Sequence, residues 1–243
     1  MESDQYNLIS AEYSELASVD PSKQFVQYPE ALRLLGNLEG KIVLDVGCGS
    51  GTFSRMIARR GAKVVGYDIS EEQIGLAKQE EKKNPLGIKY HVTSPSEIEK
   101  VLGKTRFDLA VATLVLLYAK DNRELKIFFD STFRLLKDGG KFVSATFNPD
   151  YKKLGISVYN RIFSEENGRM KVDFLNEQER IKCSAYFTKF SKEDYEESSK
   201  KAGFSLDWIN LEVAQEGRKK LGEGFWKGYE QDCPYVGFVC KKI

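Results

Sequence analysis

Lys41-Ile42-Val43-Leu44-Asp45-Val46-Gly47-Cys48-Gly49-Ser50-Gly51 decides the fold of this chain. The run up to Val46 is mainly apolar and of strand length, and from Gly47 onward glycine stands at every second position. Without Cβ atoms, such a turn can double back sharply and present backbone N–H groups to a ligand. A helix reads from Phe53 to Arg60, so those N–H groups also lie at a helix N-terminus, where the partial positive charge favours compact polar ligands. Strand, glycine turn and helix form the first half of a βαβ unit.

Outward from this turn the same rhythm continues. Gly61 ends the helix, and Ala62 to Asp68 reads as a second strand. Ser70 caps a helix running to about Lys83, with Glu71 and Glu72 favourably placed in its first turn. Asn84-Pro85-Leu86-Gly87 breaks that helix, and Ile88 to Thr93 reads as a third strand. Phe107 to Thr113 is nearly all apolar between its ends, as suits a central strand buried on both faces. A helix from Asn122 to Leu136 closes at Lys137-Asp138-Gly139-Gly140, before a fifth strand from Lys141 to Phe147.

Beyond residue 148 the pattern changes. Met170 to Leu175 and Ile181 to Phe187 flank a polar link like an antiparallel hairpin. Ser191-Lys192-Glu193-Asp194 reads as a capping box opening a helix to Ala202, followed by Gly203. Trp208 to Val213 and Tyr235 to Cys240 are strand-like and complete the sheet.

The glycines alone leave two ligands open, because dinucleotide-binding proteins use the same first turn. The third glycine of their GxGxxG pattern would fall at Thr52, and Asp45 stands two positions before the first glycine, so that fingerprint is not met. Asp68, at the end of the second strand, can accept both hydroxyls of a ribose through hydrogen bonds of about 1.5–3 kcal/mol each. Since NAD also carries such a ribose, a nucleotide-dependent oxidoreductase stays an alternative at this point.

Val43 to Gly51 resembles the first motif of class I S-adenosylmethionine-dependent methyltransferases. Val64-Val65-Gly66-Tyr67-Asp68-Ile69-Ser70 is similar to the family's acidic second-strand motif, Phe107 to Thr113 to its fourth motif, and Leu135 to Lys141 to the turn before strand five. The resemblance implies a Rossmann-like, doubly wound α/β sheet of seven mostly parallel strands with helices on both faces, only the last inserted strand being antiparallel. It also implies S-adenosylmethionine as cofactor. Gly47 and Gly49 would approach its methionine portion, with Asp45 arranging the turn and the small Cys48 fitting within it. Asp68 would hold the ribose, Ile69 would pack on the adenine, and the backbone at Thr113 and Leu114 would meet the methionine end. After strand three, where relatives often place an acid for the adenine amino group, this chain has Ser94-Pro95-Ser96. After strand four, where many relatives have paired histidines, it has Leu117-Tyr118, which leaves Tyr118 as a catalytic candidate. Tyr6 to Tyr13 resembles a segment that folds over the cofactor in small-molecule methyltransferases, making Tyr6 and Tyr13 lid candidates and Tyr13 a second catalytic one.

The expected layout is a single domain of 243 residues. Residues 1–38 form a helical lid, 39–148 the cofactor core, 149–232 a small α/β substrate cover with the final helix, and 233–243 the last strand. The aromatic set Phe147, Tyr151, Tyr159, Phe163, Trp226 and Tyr229 either lines an acceptor pocket or packs the core. Thirty-seven basic against 36 acidic residues leave a formal charge of +1, giving no broad field for nucleic acid. Four cysteines without a CxxC pair and a single histidine, His91, argue against a metal site and for reduced thiols in a cytoplasmic setting. No apolar run of signal or membrane-spanning length is present, so the expected partner is a small-molecule substrate, with the enzyme a monomer or homodimer. The function expected is methyl transfer to a nitrogen, oxygen or sulfur nucleophile by in-line displacement, mainly through positioning. Its second alternative is an inactive S-adenosylmethionine-binding interaction module.

Overall fold

The computed structural model describes residues 19–176 and 178–242. In chain order the core elements are α1 (Tyr28–Leu35), β1 (Ile42–Val46), α2 (Thr52–Ala58), β2 (Lys63–Asp68), α3 (Glu71–Lys83), β3 (Lys89–Val92), α4 (Ile98–Leu102), β4 (Phe107–Thr113), α5 (Asn122–Leu135) and β5 (Leu136–Phe147). There follow β6 (Ser157–Val158), β7 (Arg161–Glu166), β8 (Arg169–Leu175), β9 (Ile181–Phe187), α6 (Lys192–Ala202), β10 (Phe204–Asn210), α7 (Gln215–Leu221), α8 (Glu223–Gln231) and β11 (Tyr235–Lys242). Seven strands make the main sheet in the order β10-β11-β5-β4-β1-β2-β3. Pairing is parallel from β3 through β5, and β11 runs antiparallel to both β5 and β10.

Strand alternation sends successive side chains to opposite faces, and each face has its own core. Leu44, Val46, Ala110, Ala112 and Phe142 meet Phe128 and Phe129 of α5 and Tyr195 of α6. Val43, Leu109, Val111 and Val143 meet Tyr28 and Ala31 of α1, Phe53 and Ile57 of α2, and Ile74 of α3. The central strands therefore read as unbroken apolar runs because both faces are covered. Caps expected from sequence are present: Ser70 Oγ accepts the Gln73 N–H, and Ser191 with Asp194 forms the capping box of α6.

Elsewhere the chain departs from its sequence pattern. The strand expected at Trp208 to Val213 is β10, which begins four residues earlier, at Phe204, and ends at Asn210. Gly203 closes α6 in the left-handed region, and the chain enters the sheet at once, pairing Phe204 with Lys242 and Asn210 with Val236. Leu211 and Val213 instead join a third core beneath the cover. Thus part of the segment 149–232 belongs to the main sheet. The cover is a four-stranded antiparallel sheet, β6-β7-β8-β9, backed by α7 and α8. Its hairpin β8-β9 follows expectation, whereas β7 does not appear in the sequence reading. The signal was present: Asn167 and Gly168 both adopt positive φ between β7 and β8, as in the two-residue Asn-Gly hairpin turn. Within the expected lid of 1–38, α1 is a layer helix of the sheet, because Tyr28, Ala31 and Leu35 form one buried stripe.

The N-terminal segment reaches α1 through a π-helical turn, Lys23–Gln27, and is tied to the cover by a buried ion pair. Asp20 and Arg161 of β7 each retain 5% side-chain exposure. Arg161 also donates to Ser22 Oγ at 2.7 Å, and its guanidinium lies over the rings of Phe174 at 5.3 Å and Tyr235 at 5.8 Å. Removing one partner strands the other charge in a dry site, which costs about 3–5 kcal/mol. Arg161→Met is expected to lose that amount in urea denaturation. Asp20→Leu combined with Arg161→Met should recover most of it.

Candidate functional site

β1 pairs with β2 on one side and β4 on the other, so the sheet reverses its strand order there. Connections leaving β1 and β4 depart to opposite faces and open a crevice at the C-terminal strand ends. The crevice is lined by the β1 turn, the end of β2 and the loop after β4.

Its floor is the glycine turn. Gly47 has φ +64°, and a Cβ placed on it would lie 2.2 Å from Val115 Cγ2, so this turn and the loop after β4 touch through a position where only hydrogen fits. Cys48 tucks its side chain against Gly66 of β2, where an added Cβ would stand 2.9 Å from Sγ. Burial pushes the Cys48 thiol up, the opposite of a reactive thiolate. The thiol therefore fills space in the turn.

Asp68 closes β2 beside this floor. Its Oδ2 accepts the Gly49 N–H at 3.0 Å and its Oδ1 accepts the Ser70 N–H at 3.0 Å, so the carboxylate is held by the turn it serves. Burial raises its pKa, while backbone donors Ser70, Gly49 and Ile69 act in the other direction. Asp45 lies behind the turn at 1% exposure and does not line the crevice. Ser54 Oγ donates to its Oδ2 at 2.5 Å, while buried Oδ1 has no partner among the described residues. Burial pushes the Asp45 carboxyl up to about 7, with the Ser54 bond lowering it and the Asp68 charge raising it.

On the facing side, Thr113 and Leu114 end β4, and Leu114 takes φ +54° while donating its N–H to the Ala145 carbonyl at 2.8 Å. A left-handed leucine is strained, and such backbone gathers at working sites. The 3₁₀ turn Leu116–Tyr118 comes next, and the cover grips it: Thr188 donates its N–H to the Leu117 carbonyl and its hydroxyl to the Ala119 carbonyl. Tyr118 lines both the crevice and a smaller cavity walled by Phe147, Phe163, Phe174 and Phe187.

Gly47, Cys48, Gly49, Asp68, Ile69, Pro95, Thr113, Leu114 and Tyr118 thus come together from distant parts of the sequence. Ser94 lines an adjoining pocket instead, one that shares Ile69, Pro95 and Phe128 with the crevice. Tyr6 and Tyr13 lie outside the described residues. His91 is half-buried on β3 and away from the crevice lining. Of the aromatic set, Phe147 and Phe163 face the small cavity, while Trp226 packs against Tyr159 and Tyr229 and donates its indole N–H to the Gly217 carbonyl. Sequence reading missed Lys23, Tyr28, Val115, Lys120 and Arg169 in the crevice wall. No local pattern marks them, since each arrives through the packing of a separate segment.

The family model described as a methyltransferase domain matches residues 22–207. The ubiquinone biosynthesis O-methyltransferase of Rhizobium etli is 33% identical over 122 residues, covering 50% of this chain and 47% of that protein. The chain thus spans about half the length of the curated relatives it matches. An S-adenosylmethionine-dependent methyltransferase from Clostridium acetobutylicum superimposes with a TM-score of 0.68 at 16% identity, over 95% of this chain and 98% of that one. A sugar N-methyltransferase from Streptoalloteichus does so with a TM-score of 0.67 at 16% identity, over 96% and 92% respectively. These two likenesses concern the fold.

Two outcomes test the geometry of the turn. Gly47→Ala is expected to lose at least about 2 kcal/mol through left-handed strain and the Val115 clash. A double-mutant cycle with Val115→Gly should show about 1 kcal/mol or more of coupling. Asp45 has an ordinary pKa of 3.8, and its folded value is higher, so the stability it contributes is full below the unfolded value and is lost as pH rises toward 7. Asp45→Asn should therefore flatten the stability profile between about pH 4 and 7. An unchanged slope in urea titrations would remove Asp45 as its source.

Proposed function

The chain belongs to the methyltransferase-domain family, and on that footing we propose that it binds S-adenosylmethionine in the crevice between β1 and β4 and methylates a small-molecule acceptor. One observation carries this reading: the Asp68 carboxylate, anchored by the Gly49 and Ser70 N–H groups, stands beside a turn that no Cβ blocks at Gly47. The residues present fit the cofactor. Asp68 is pre-set for a ribose diol, Ile69 and Pro95 offer apolar surface for adenine, and the left-handed Leu114 turns the chain across from Gly47, where the methionine end would lie. Ser94 borders the adenine side from the adjoining pocket, buried Asp45 supports the turn from behind, and Cys48 lies within it.

When bound, S-adenosylmethionine supplies a methyl group already activated on a sulfonium. The protein's task is then to align an acceptor and exclude water, and positioning of this kind lowers a barrier by roughly 7–11 kcal/mol. Tyr118, common to the crevice and the aromatic cavity, is the side chain we assign to meet the acceptor. Tyr6 and Tyr13 keep the lid role that their sequence motif suggests. Residues 39–148 hold the cofactor, and acceptor choice falls to the cover within 149–232 and the segment 1–38. The reading extends to a cytoplasmic monomer or homodimer acting on small molecules rather than nucleic acid. The near-zero net charge supports this, and no described helix is long and apolar enough to cross a membrane.

Isothermal titration separates this function from its alternatives. S-adenosylmethionine should bind and NAD should not, and Asp68→Ala should weaken binding by about tenfold or more. Failure of the wild type to bind, or an unchanged affinity in Asp68→Ala, would overturn the reading. Release of S-adenosylhomocysteine with a panel of amines, thiols and phenols distinguishes an enzyme from a binding module.

A further inference from the structure

Ile69, Pro95 and Phe128 are common to the crevice and to the pocket beside it, so the two spaces adjoin along an apolar strip. Past that strip the second pocket turns polar. The segment after β3 contributes Thr93, Ser94 and Ser96, and the first turn of α5 contributes Glu124. Ser94 and Ser96 hold each other at 2.8 Å between hydroxyl oxygens. Among the described residues, Glu124 is the one carboxylate in the pocket lining. Other acids close by in the sequence are directed elsewhere. Glu97 pairs with Lys100 at 2.7 Å and Glu99 with Arg134 at 2.6 Å, and neither lines the pocket.

The helix that Glu124 helps to start also holds its side chain. Asp121 caps α5 by accepting the Glu124 N–H at 2.9 Å, and Glu124 Oε2 reaches back to accept the Lys120 N–H at 3.0 Å. A carboxylate offers about four lone-pair sites on two oxygens, so one such bond orients the group while it serves other donors as well. The pocket therefore presents an oriented acceptor past an apolar strip, with two hydroxyls that donate or accept beside it.

Resting on the proposal that the crevice holds S-adenosylmethionine, we infer that Glu124 is a specificity-determining residue for the base of that cofactor. Its carboxylate accepts the six-amino group of adenine, and Ser94 with Ser96 completes the polar edge of the subsite. Adenine matches this order of groups, with flat apolar faces for Ile69 and Pro95 and an amino donor at one edge. The segment after β3 brings only hydroxyls to this edge, which suit a donor and an acceptor equally well. Selection for an amino group thus falls to a carboxylate from another element. A site arranged around such an acceptor rejects a base without the matching donor, because the acceptor is then left unpaired.

Isothermal titration of the full chain tests this by comparing S-adenosylhomocysteine with its purine analogue, which lacks only the six-amino group. The wild type is expected to bind the adenine form at least about tenfold more tightly. In Glu124→Ala the two ligands should bind within about twofold of each other, while the purine form keeps its wild-type affinity to within about threefold. A role for Glu124 confined to the α5 cap would weaken both ligands alike, and that result overturns the inference. Equal binding of the two by the wild type, or a preference that survives Glu124→Ala, overturns it as well. Should Glu124→Ala not fold, Glu124→Gln keeps the cap and a neutral acceptor, and the preference should fall at least about threefold. An unchanged preference in that variant also overturns the inference. Failure of the wild type to bind S-adenosylhomocysteine strikes the underlying cofactor reading instead.

Discussion

At the end of β1, Gly47 and Val115 occupy space that two side chains cannot share. The distance between the β1 turn and the loop after β4 is set by that contact, and much of the crevice geometry follows from it. It brings a strand-end turn rich in N–H groups opposite the strained Leu114, and it leaves Asp68, one strand over, within reach of the Gly49 N–H. The parallel sheet makes this possible, because strand order reverses at β1 and the two connections must part. The constraint is steric, and its product is an open groove with a fixed floor.

A second constraint orders what stands above that floor. Asp20 and Arg161 are buried charges that tolerate one another only as a pair, and they join the segment before α1 to β7 of the cover. Thr188 adds a second tie from the end of β9 to the turn bearing Tyr118. The cover is thereby indexed to the core on two sides, and the aromatic cavity between them acquires a definite wall. Lys23 and Arg169 reach the crevice through these same attachments, one from the N-terminal turn and the other from β8.

Much of the core was legible along the chain. Alternation between β-branched runs and capped helices marks β1 to β4 within a few residues, because buried parallel strands must be apolar on both faces and helix ends must satisfy their N–H groups. β5 begins at Leu136, five residues before its apolar run, because Lys137 to Gly140 belong to the strand despite their turn-like composition. Asp68 was legible for a local reason: the acid ends a strand that follows the glycine turn by one helix. The edge strand β10 was misplaced because Leu211 and Val213 continue its apolar pattern while belonging to another core. β7 is not legible from alternation, although Asn167-Gly168 announces its hairpin, since its polar tail, Ser164-Glu165-Glu166, masks the pattern.

The amino-acid sequence by itself determined the parallel strands β1 to β4, the glycine turn and the place of Asp68 at the end of β2, because each is marked by local apolar runs, caps and glycine spacing and needs no distant partner. Tertiary structure alone decided the rest of the site. Lys23, Val115, Lys120 and Arg169 share one crevice, Tyr118 bridges it to an aromatic cavity, and Ser94 stands in the pocket next door. None of these relations has a period or a motif, for they arise where layers from opposite ends of the chain pack. Only the folded arrangement of buried charge, apolar surface and close backbone contact fixes where such layers meet.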